Sequence, residues 1–549
     1  MNKFADLHCH PHMRSFNWLR DGKIEKKKPE KFHPWHVIVS KIKAKKDGRR
    51  ANAYSQCDLI KMKNGHMKLA FVALYPMEKG WFLGRDELSK ETIKKGLSGI
   101  SKNGLIAQLI NQNYEWLGKV LLKLGKDKGS NLAIRDLAQS LMLKLPVRRA
   151  QFIQSDDYDY FIEMKKERDF LKTKNNIQTE SEIFMPAFKN IFKNKKRLIR
   201  KNKKEFKATG TYEIVKEKND LIRINDDENE KDKMAFVFTI EGSNVFNTSD
   251  DIEIVKERID EVKSWGDTPV FFISFAHHFD NYLCGHAHSI PDYGGLILDQ
   301  SQNMNAGFTD KGKQIIRYFL SLDENNNYQK NLGHRILIDT KHMSATSRKY
   351  YYNEIVKPCW GKGDKIPIIA SHVAYSGIKT LDELILNMPT EIDENSISTD
   401  KKPFNTWNIN LSDEDILEVF KSDGIIGLNL DQRILALPPK KKKQSYPDDY
   451  DISYLWENLK AMMLVIYNSD LPHKEKLVNL FGLGTDFDGY IDPLDDYPTT
   501  LEFDDMKIAL IKKMKEDNET NKLLFGLSPE DFADKFCYTN AYDFVLRHF

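Results

Sequence analysis

Six residues in this chain are of the types that bind metal ions or move protons, and each follows a short apolar run. His8 and His10 stand in Asp6-Leu7-His8-Cys9-His10, and Glu241 in Thr239-Ile240-Glu241-Gly242. His342 lies in Asp339-Thr340-Lys341-His342-Met343-Ser344, His372 in Ala370-Ser371-His372, and Asp486 in Gly484-Thr485-Asp486-Phe487-Asp488-Gly489. His8 and His10 are two apart on an extended run, so both side chains point the same way and suit one ion. Glu241 ends a run of apolar residues, where a carboxylate is costly unless paired or metal-bound. One carboxylate is able to bridge two cations, the usual hydrolytic arrangement. His342 and His372 would complete the second ion, and imidazole suits zinc, with iron, nickel and manganese as alternatives. Asp486 is placed to hold and pass on the proton of an attacking water.

The elements that would bring these residues together are eight apolar, β-branched or aromatic runs. They cover residues 3–8, 68–75, 234–241, 269–276, 334–340, 366–371, 424–430 and 480–486. Their hydrophobicity is nearly continuous rather than alternating, which fits parallel strands covered on both faces. Helix-like segments lie between the later strands. Residues 249–265 carry Ile252, Val255, Ile259 and Val262 on one helical face. Residues 309–322 and 412–421 read the same way, and Ser412 to Asp415 forms a capping-box pattern. Alternating strand and helix predicts an α/β protein, a (β/α)8 TIM-type barrel, whose strand ends meet on one face.

The segment 76–233 is far longer than a strand-to-strand crossover requires. It is polar, Lys-rich and mainly helical in pattern. The expected division is therefore a barrel from 1–75 and 234–549, with a large, mainly helical insertion of 76–233 between strands 2 and 3. The basic run from Lys189 to Lys207 is interleaved with Ile191, Phe192, Leu198 and Ile199, the pattern of a solvated helix face. Lys440 to Lys443 follows two prolines and reads as a loop.

A net charge of +4 against 84 basic and 80 acidic residues gives no reason to expect nucleic acid as a partner. No stretch is apolar for about 18 residues, so no membrane span is expected. Five scattered cysteines without a CxxC pair argue against a disulfide framework and a structural thiolate zinc site. With no apolar leader in the first residues, a cytoplasmic protein is expected. Association into a homo-oligomer stays open.

Several of these strings together resemble the membrane (renal) dipeptidase family of zinc peptidases, which are amidohydrolase-like barrels. Ile240-Glu241-Gly242 is similar to the family's bridging glutamate motif, and Ala276-His277-His278 with Asp280-Asn281 to its histidine-containing, Asn-rich loop. Gly307-Phe308-Thr309 followed by Gly312 is similar to its Gly-Leu-Thr segment. Asp339-Thr340-Lys341-His342-Met343-Ser344 is similar to Asp-Leu-Ser-His-Val-Ser, and Ser371-His372-Val373 to Ser-His-Ser. Gly484 to Gly489 is nearly its Gly-Ser-Asp-Phe-Asp-Gly, and the stretch from Gly526 to Asn540 also fits. The resemblance implies two divalent metal ions, zinc by preference, held by His8, His10, Glu241, His342 and His372. It implies Asp486 as the proton shuttle, His277 as the residue that contacts the substrate and polarises its oxygen, and a dipeptide-like small molecule as substrate.

Two departures bear on that expectation. The family opens His-x-Asp, whereas this chain has His8-Cys9-His10, which exchanges an anionic ligand for a neutral one. The family's carboxylate-binding arginine is matched by Ile409, and Arg433 from the next strand end is the candidate substitute. Losing a bidentate donor removes a main reason to select dipeptides. Two other readings remain: a phosphoesterase on the same kind of metal barrel, and an inactive barrel serving as a binding module.

Overall fold

The computed structural model describes residues 2–19, 34–35, 55–82, 145, 147–173, 176–178, 209–246, 251–290, 299–386, 404–437 and 447–549. Ten strands are present among them. They are β1 (Phe4–Cys9), β2 (Met67–Leu74), β3 (Asn176–Gln178), β4 (Thr209–Ile214), β5 (Lys233–Glu241), β6 (Val270–Ser274), β7 (Leu337–Asp339), β8 (Ile369–Val373), β9 (Ile425–Leu428) and β10 (Phe481–Leu483).

Eight of them follow one another in the order β1-β2-β5-β6-β7-β8-β9-β10, each pair parallel. The sheet returns on itself just beyond β10, where the Asp486 amide donates to the His8 carbonyl and the His10 amide to the Phe487 carbonyl, both at 3.0 Å. The result is a nearly closed barrel of eight parallel strands, the TIM-type architecture expected from the apolar runs. All eight expected strands are found: β6, β7, β9 and β10 are shorter than the apolar runs, β1 and β2 are shifted by one residue, β5 begins one residue earlier, and β8 starts later and runs to Val373.

Strand phase separates the two faces. On β5, Ala235 and Val237 share phase with Thr239 and Glu241, and they join Ala5, Leu7, Leu69, Phe71, Phe272, Leu337, Ile369 and Ile425 in one buried cluster. Residues two apart on a strand face the same side, so this cluster is the barrel interior beneath Glu241. The C-terminal helix Asn540–His548 packs Phe544 and Val545 against it. Met234, Phe236, Phe238 and Ile240 face the other way, into a larger cluster shared with the outer helices.

Those helices start where the sequence places caps. Helix Ile252–Lys263 is capped by Asp251, helix Asp310–Phe319 by Thr309, and helix Asp413–Lys421 by a full Ser412–Asp415 capping box. Val255, Ile259, Ile315, Ile316 and Val419 form the faces they turn inward. At Gly484 and Gly427 a Cβ would fall on the Ser371 carbonyl oxygen, so β8, β9 and β10 approach only because both positions lack a side chain.

The described parts of 76–233 are of mixed type. Helices Val147–Gln154, Tyr160–Thr173 and Lys218–Asp226 accompany β3 and β4. β4 pairs in parallel with the start of β5, on the edge that β6 takes further along. The first two helices are seated on the loop after β2: Tyr158 donates to the Met77 carbonyl at 3.0 Å, and Tyr160 accepts from the Lys79 amide at 2.7 Å. Arg149, buried, joins Glu163 at 2.8 Å and Asn17 at 3.0 Å, tying them to the short helix Met13–Leu19 that follows β1 as well. The basic run 189–207 and the tetralysine 440–443 lie outside the described residues. No helix among the described residues is long and apolar enough to cross a membrane.

Candidate metal centre

The barrel brings all six residues singled out by spacing to one end. His8 lies on β1 and His10 one residue beyond it. Glu241 closes β5 and His372 lies on β8. His342 and Asp486 each sit three residues past a strand, on left-handed backbone at φ 65° and 58°. Non-glycine residues hold that conformation at a cost of about 1–3 kcal/mol, which the surroundings must offset. A register shift between Asp6 and Cys9 in the β1–β2 pairing accompanies the turn of His8 toward the cup, although Leu7 belongs to the interior cluster.

Glu241 is the hub. Its Oε1 lies 3.1 Å from His8 Nε2, 3.6 Å from His342 Nε2 and 3.8 Å from His372 Nε2. Its Oε2 lies 3.1 Å from His10 Nε2. Asp486 Oδ1 stands 3.9 Å from His8 and 3.8 Å from His10, and Oδ2 stands 4.0 Å from His372. The Nε2 atoms of His8 and His10 face each other at 3.2 Å, and those of His342 and His372 do the same at 3.2 Å. Two nitrogens about 2.05 Å from one tetrahedral ion stand roughly 3.3 Å apart. Each histidine pair thus has the spacing of two ligands on a single cation, with Glu241 Oε1 near both pairs and Oε2 on His10. The donor set, histidine nitrogens around a carboxylate, fits divalent metal ions.

Electrostatics favour the same use. Burial pushes His8, His342 and His372 below the ordinary imidazole range, which keeps their lone pairs free. Burial works against charge on His10 too, but Glu241 and Asp486 outweigh it and raise that group. Burial likewise opposes charge on Glu241, yet His277, His8 and His10 hold it well below the usual carboxylate range. Asp486 moves the other way, raised well above that range by burial and then by Glu241. Of two neighbouring carboxylates in one cup, Glu241 is thus held toward the charged form and Asp486 away from it.

A second layer holds the ligands. Asp6 accepts from the amides of His8 (3.2 Å) and Thr485 (2.9 Å) and from the Thr485 hydroxyl (2.5 Å), which locks β1 to the loop bearing Asp486. Asp339 does the same between β6, β7 and β8, accepting from Ser274 Oγ at 2.5 Å, Ser371 Oγ at 2.6 Å and the Ser371 amide at 2.9 Å. Ser371 Oγ also meets His372 Nδ1 at 2.7 Å and fixes that ring. Partners of this kind set ring orientation and tautomer. Both aspartates were legible only as polar residues inside apolar runs. Lys341, almost fully buried beside His342, has its amine lowered to about 8 by burial, against Asp486, Asp339, Asp431 and Glu241.

His277, in the loop after β6, reaches the cup: its Nε2 lies 3.4 Å from Glu241 Oε1. His278 joins His277 and His342 in a further group of ring nitrogens within 4.8 Å of one another. The rim positions behave differently. Ile409 is buried in the apolar core. Arg433 turns its guanidinium onto Asp431, with Nε 2.9 Å from Oδ1. Arg348, fully buried behind Ile409, is bound by Asp415 at 2.9 and 3.2 Å and by the Asn408 and Asn410 carbonyls.

No protein-family model and no curated protein matches the chain. Among solved structures, the chain is similar to a metallo peptidase from Rhodobacter sphaeroides liganded with a phosphinate mimic of the dipeptide L-Ala-D-Ala. The identity is 12% and the TM-score 0.49, over 100% of this chain and 99% of that one. For the dipeptidase AC, a metallo peptidase, the values are 11% and 0.48 over 100% and 98%. The probable dipeptidase PvdM from Pseudomonas aeruginosa is 15% identical with a TM-score of 0.41, over 90% of each chain.

Proposed function

We propose that this chain is a binuclear metal-dependent hydrolase that cleaves a small amide or peptide bond, as dipeptidases do. The observation that carries the reading is the pair of facing histidine couples, each at 3.2 Å, with Glu241 Oε1 between them and Glu241 Oε2 on His10. His8 and His10 would hold one cation and His342 and His372 the other, with Glu241 a ligand shared between them. Divalent ions there, zinc by preference, supply Lewis acidity and a nucleophile at neutral pH.

The remaining work falls to the chain. Asp486 Oδ1 faces His8 and His10 at 3.9 and 3.8 Å, and its raised affinity for a proton suits it to take one and return it to the leaving amine. His277 directs Nε2 into the cup, where it donates to the substrate's carbonyl oxygen as negative charge builds there. Burial of all the ligand side chains keeps bulk water out and strengthens each of these interactions. With Ile409 in the core and Arg433 on Asp431, the free carboxylate of a dipeptide is not the group the cup selects.

The test is turnover of a panel of dipeptides, their C-terminal amides and acylated amino acids by metal-loaded protein, with an aryl phosphate alongside. Amide cleavage that is lost with a chelator and restored by zinc supports the reading. Turnover of the phosphate alone would replace it with a phosphoesterase.

A further inference from the structure

His277 has two ring nitrogens, and the reaction above uses only Nε2. The other, Nδ1, lies 2.5 Å from Glu78 Oε2. Glu78 is 3% exposed and lies just past β2, at the start of the long segment that the barrel does not need. A carboxylate is buried at such a place only with partners to satisfy it. Glu78 has two in hand: His277, and the Tyr75 hydroxyl at 3.3 Å. Tyr75 in turn accepts from the Trp81 indole at 2.7 Å and donates its amide to Glu167 Oε2, also at 2.7 Å. Glu167 belongs to the helix Tyr160–Thr173. The Tyr75 ring packs edge-on against His277 at 4.8 Å, and His342 packs against it at 4.6 Å. The imidazole is thus gripped by a hydrogen bond at one nitrogen and by rings at its sides, while its other nitrogen faces Glu241.

We propose that Glu78 is the positioning residue of His277, and that the long segment after β2 contributes to the reaction through it. Glu78 occupies Nδ1 and fixes the ring plane, so Nε2 is the nitrogen presented to the substrate oxygen. Tyr75, Trp81 and Glu167 brace Glu78 and link it to the helix 160–173. Glu78 itself touches neither the metal ligands' reacting side nor the substrate. The proposal rests on the hydrolase reading for the role of Nε2, but the Glu78–His277 bond stands apart from it.

Outer carboxylates that hold a working imidazole typically account for about 10–100-fold in activity. Metal-loaded Glu78→Ala should therefore lose about 10–100-fold in kcat, with two metals retained and KM little changed. Glu78→Gln, which keeps an acceptor oxygen at nearly the same place, should recover part of the loss. Adding Glu78→Ala to His277→Ala should cost nothing more, because the ring it positions is gone. Losses that add in the double variant, or a Glu78→Ala enzyme as active as the parent, would overturn the proposal. The second arm needs no turnover: in protein with 15N-labelled histidine, the Nδ1 proton should appear far downfield and vanish in His277→Ala and in Glu78→Ala. If no substrate is cleaved but that resonance behaves as stated, the hydrolase reading fails and the Glu78–His277 pair survives. If the resonance is absent from the parent or persists in Glu78→Ala, the pair itself is wrong.

Discussion

The floor of the cup and its rim are built on different terms. On the floor, His8, His10, Glu241, His342 and His372 each hang from a strand or its first residues, and Asp6 and Asp339 cross-link neighbouring strand ends beneath them. At the rim, the segment 408–410 is held by Arg348, and Arg433 is occupied by Asp431. The floor turns ring nitrogens toward one another around a carboxylate: the Nε2 atoms of His8 and His10 face at 3.2 Å, as do those of His342 and His372, with Glu241 Oε1 between. The rim has its charges already paired. Among the described residues the rim offers no unoccupied cation at Ile409 or Arg433, so on the proposed reading the barrel sets the chemistry and the loops set the selectivity.

The comparison breaks most sharply at Asp486. Asp486→Asn preserves shape but removes the proton acceptor, so turnover should fall by about 10²–10⁴-fold with the metals still bound. Kinetics and elemental analysis on the same preparation check this. A variant of near-parental rate would take Asp486 out of the reaction.

The rim's own weak point is Arg348. Arg348→Met leaves the buried Asp415 without its counter-charge, held only by Ser412 and Tyr352, a loss of about 3–5 kcal/mol. Thermal unfolding should show a clear drop, and the metal count should hold, because the floor does not depend on this pair. Simultaneous loss of metal would mean that floor and rim are one unit.

Selectivity is the next step down. A charge-assisted hydrogen bond is worth about 1.5–3 kcal/mol, so a cup without a carboxylate clamp should give a free dipeptide no advantage of about ten- to a hundredfold over its amide. Paired kcat/KM values decide it. Efficient cleavage of free dipeptides alone would show that a clamp exists after all.

The smallest effect is expected at Arg433. Its partly exposed guanidinium is turned onto the buried Asp431 carboxylate. Arg433→Ala should leave the ratio of kcat/KM for dipeptides and their amides nearly unchanged, with its cost appearing in thermal stability because a buried carboxylate loses its counter-charge. A larger loss confined to substrates with a free carboxylate would return Arg433 to the site.

How much of this was legible before the structure follows from what each part is made of. The strands announced themselves because Ala235-Phe236-Val237-Phe238 and its counterparts are buried on both faces and carry no polar alternation. The ligands were legible because a histidine or carboxylate at the end of such a run has few uses other than binding. Glu78 carried no such mark: it sits in Tyr75-Pro76-Met77-Glu78-Lys79, a polar loop, and its partner is some two hundred positions away. β4 was missed because Thr209-Gly210-Thr211-Tyr212-Glu213-Ile214 is half polar and short, and only its pairing with β5 makes it a strand. Asp6 and Asp339 stood in the quoted motifs without a role, since what they accept from is decided by the closing of the barrel and not by local sequence.

The central claim is that one floor holds two cations across Glu241, and counting them tests it most directly. Protein purified without chelator and supplemented with zinc should carry two equivalents per chain by elemental analysis, falling toward one or none in Glu241→Ala. One equivalent or fewer in the parent after supplementation would contradict the binuclear account.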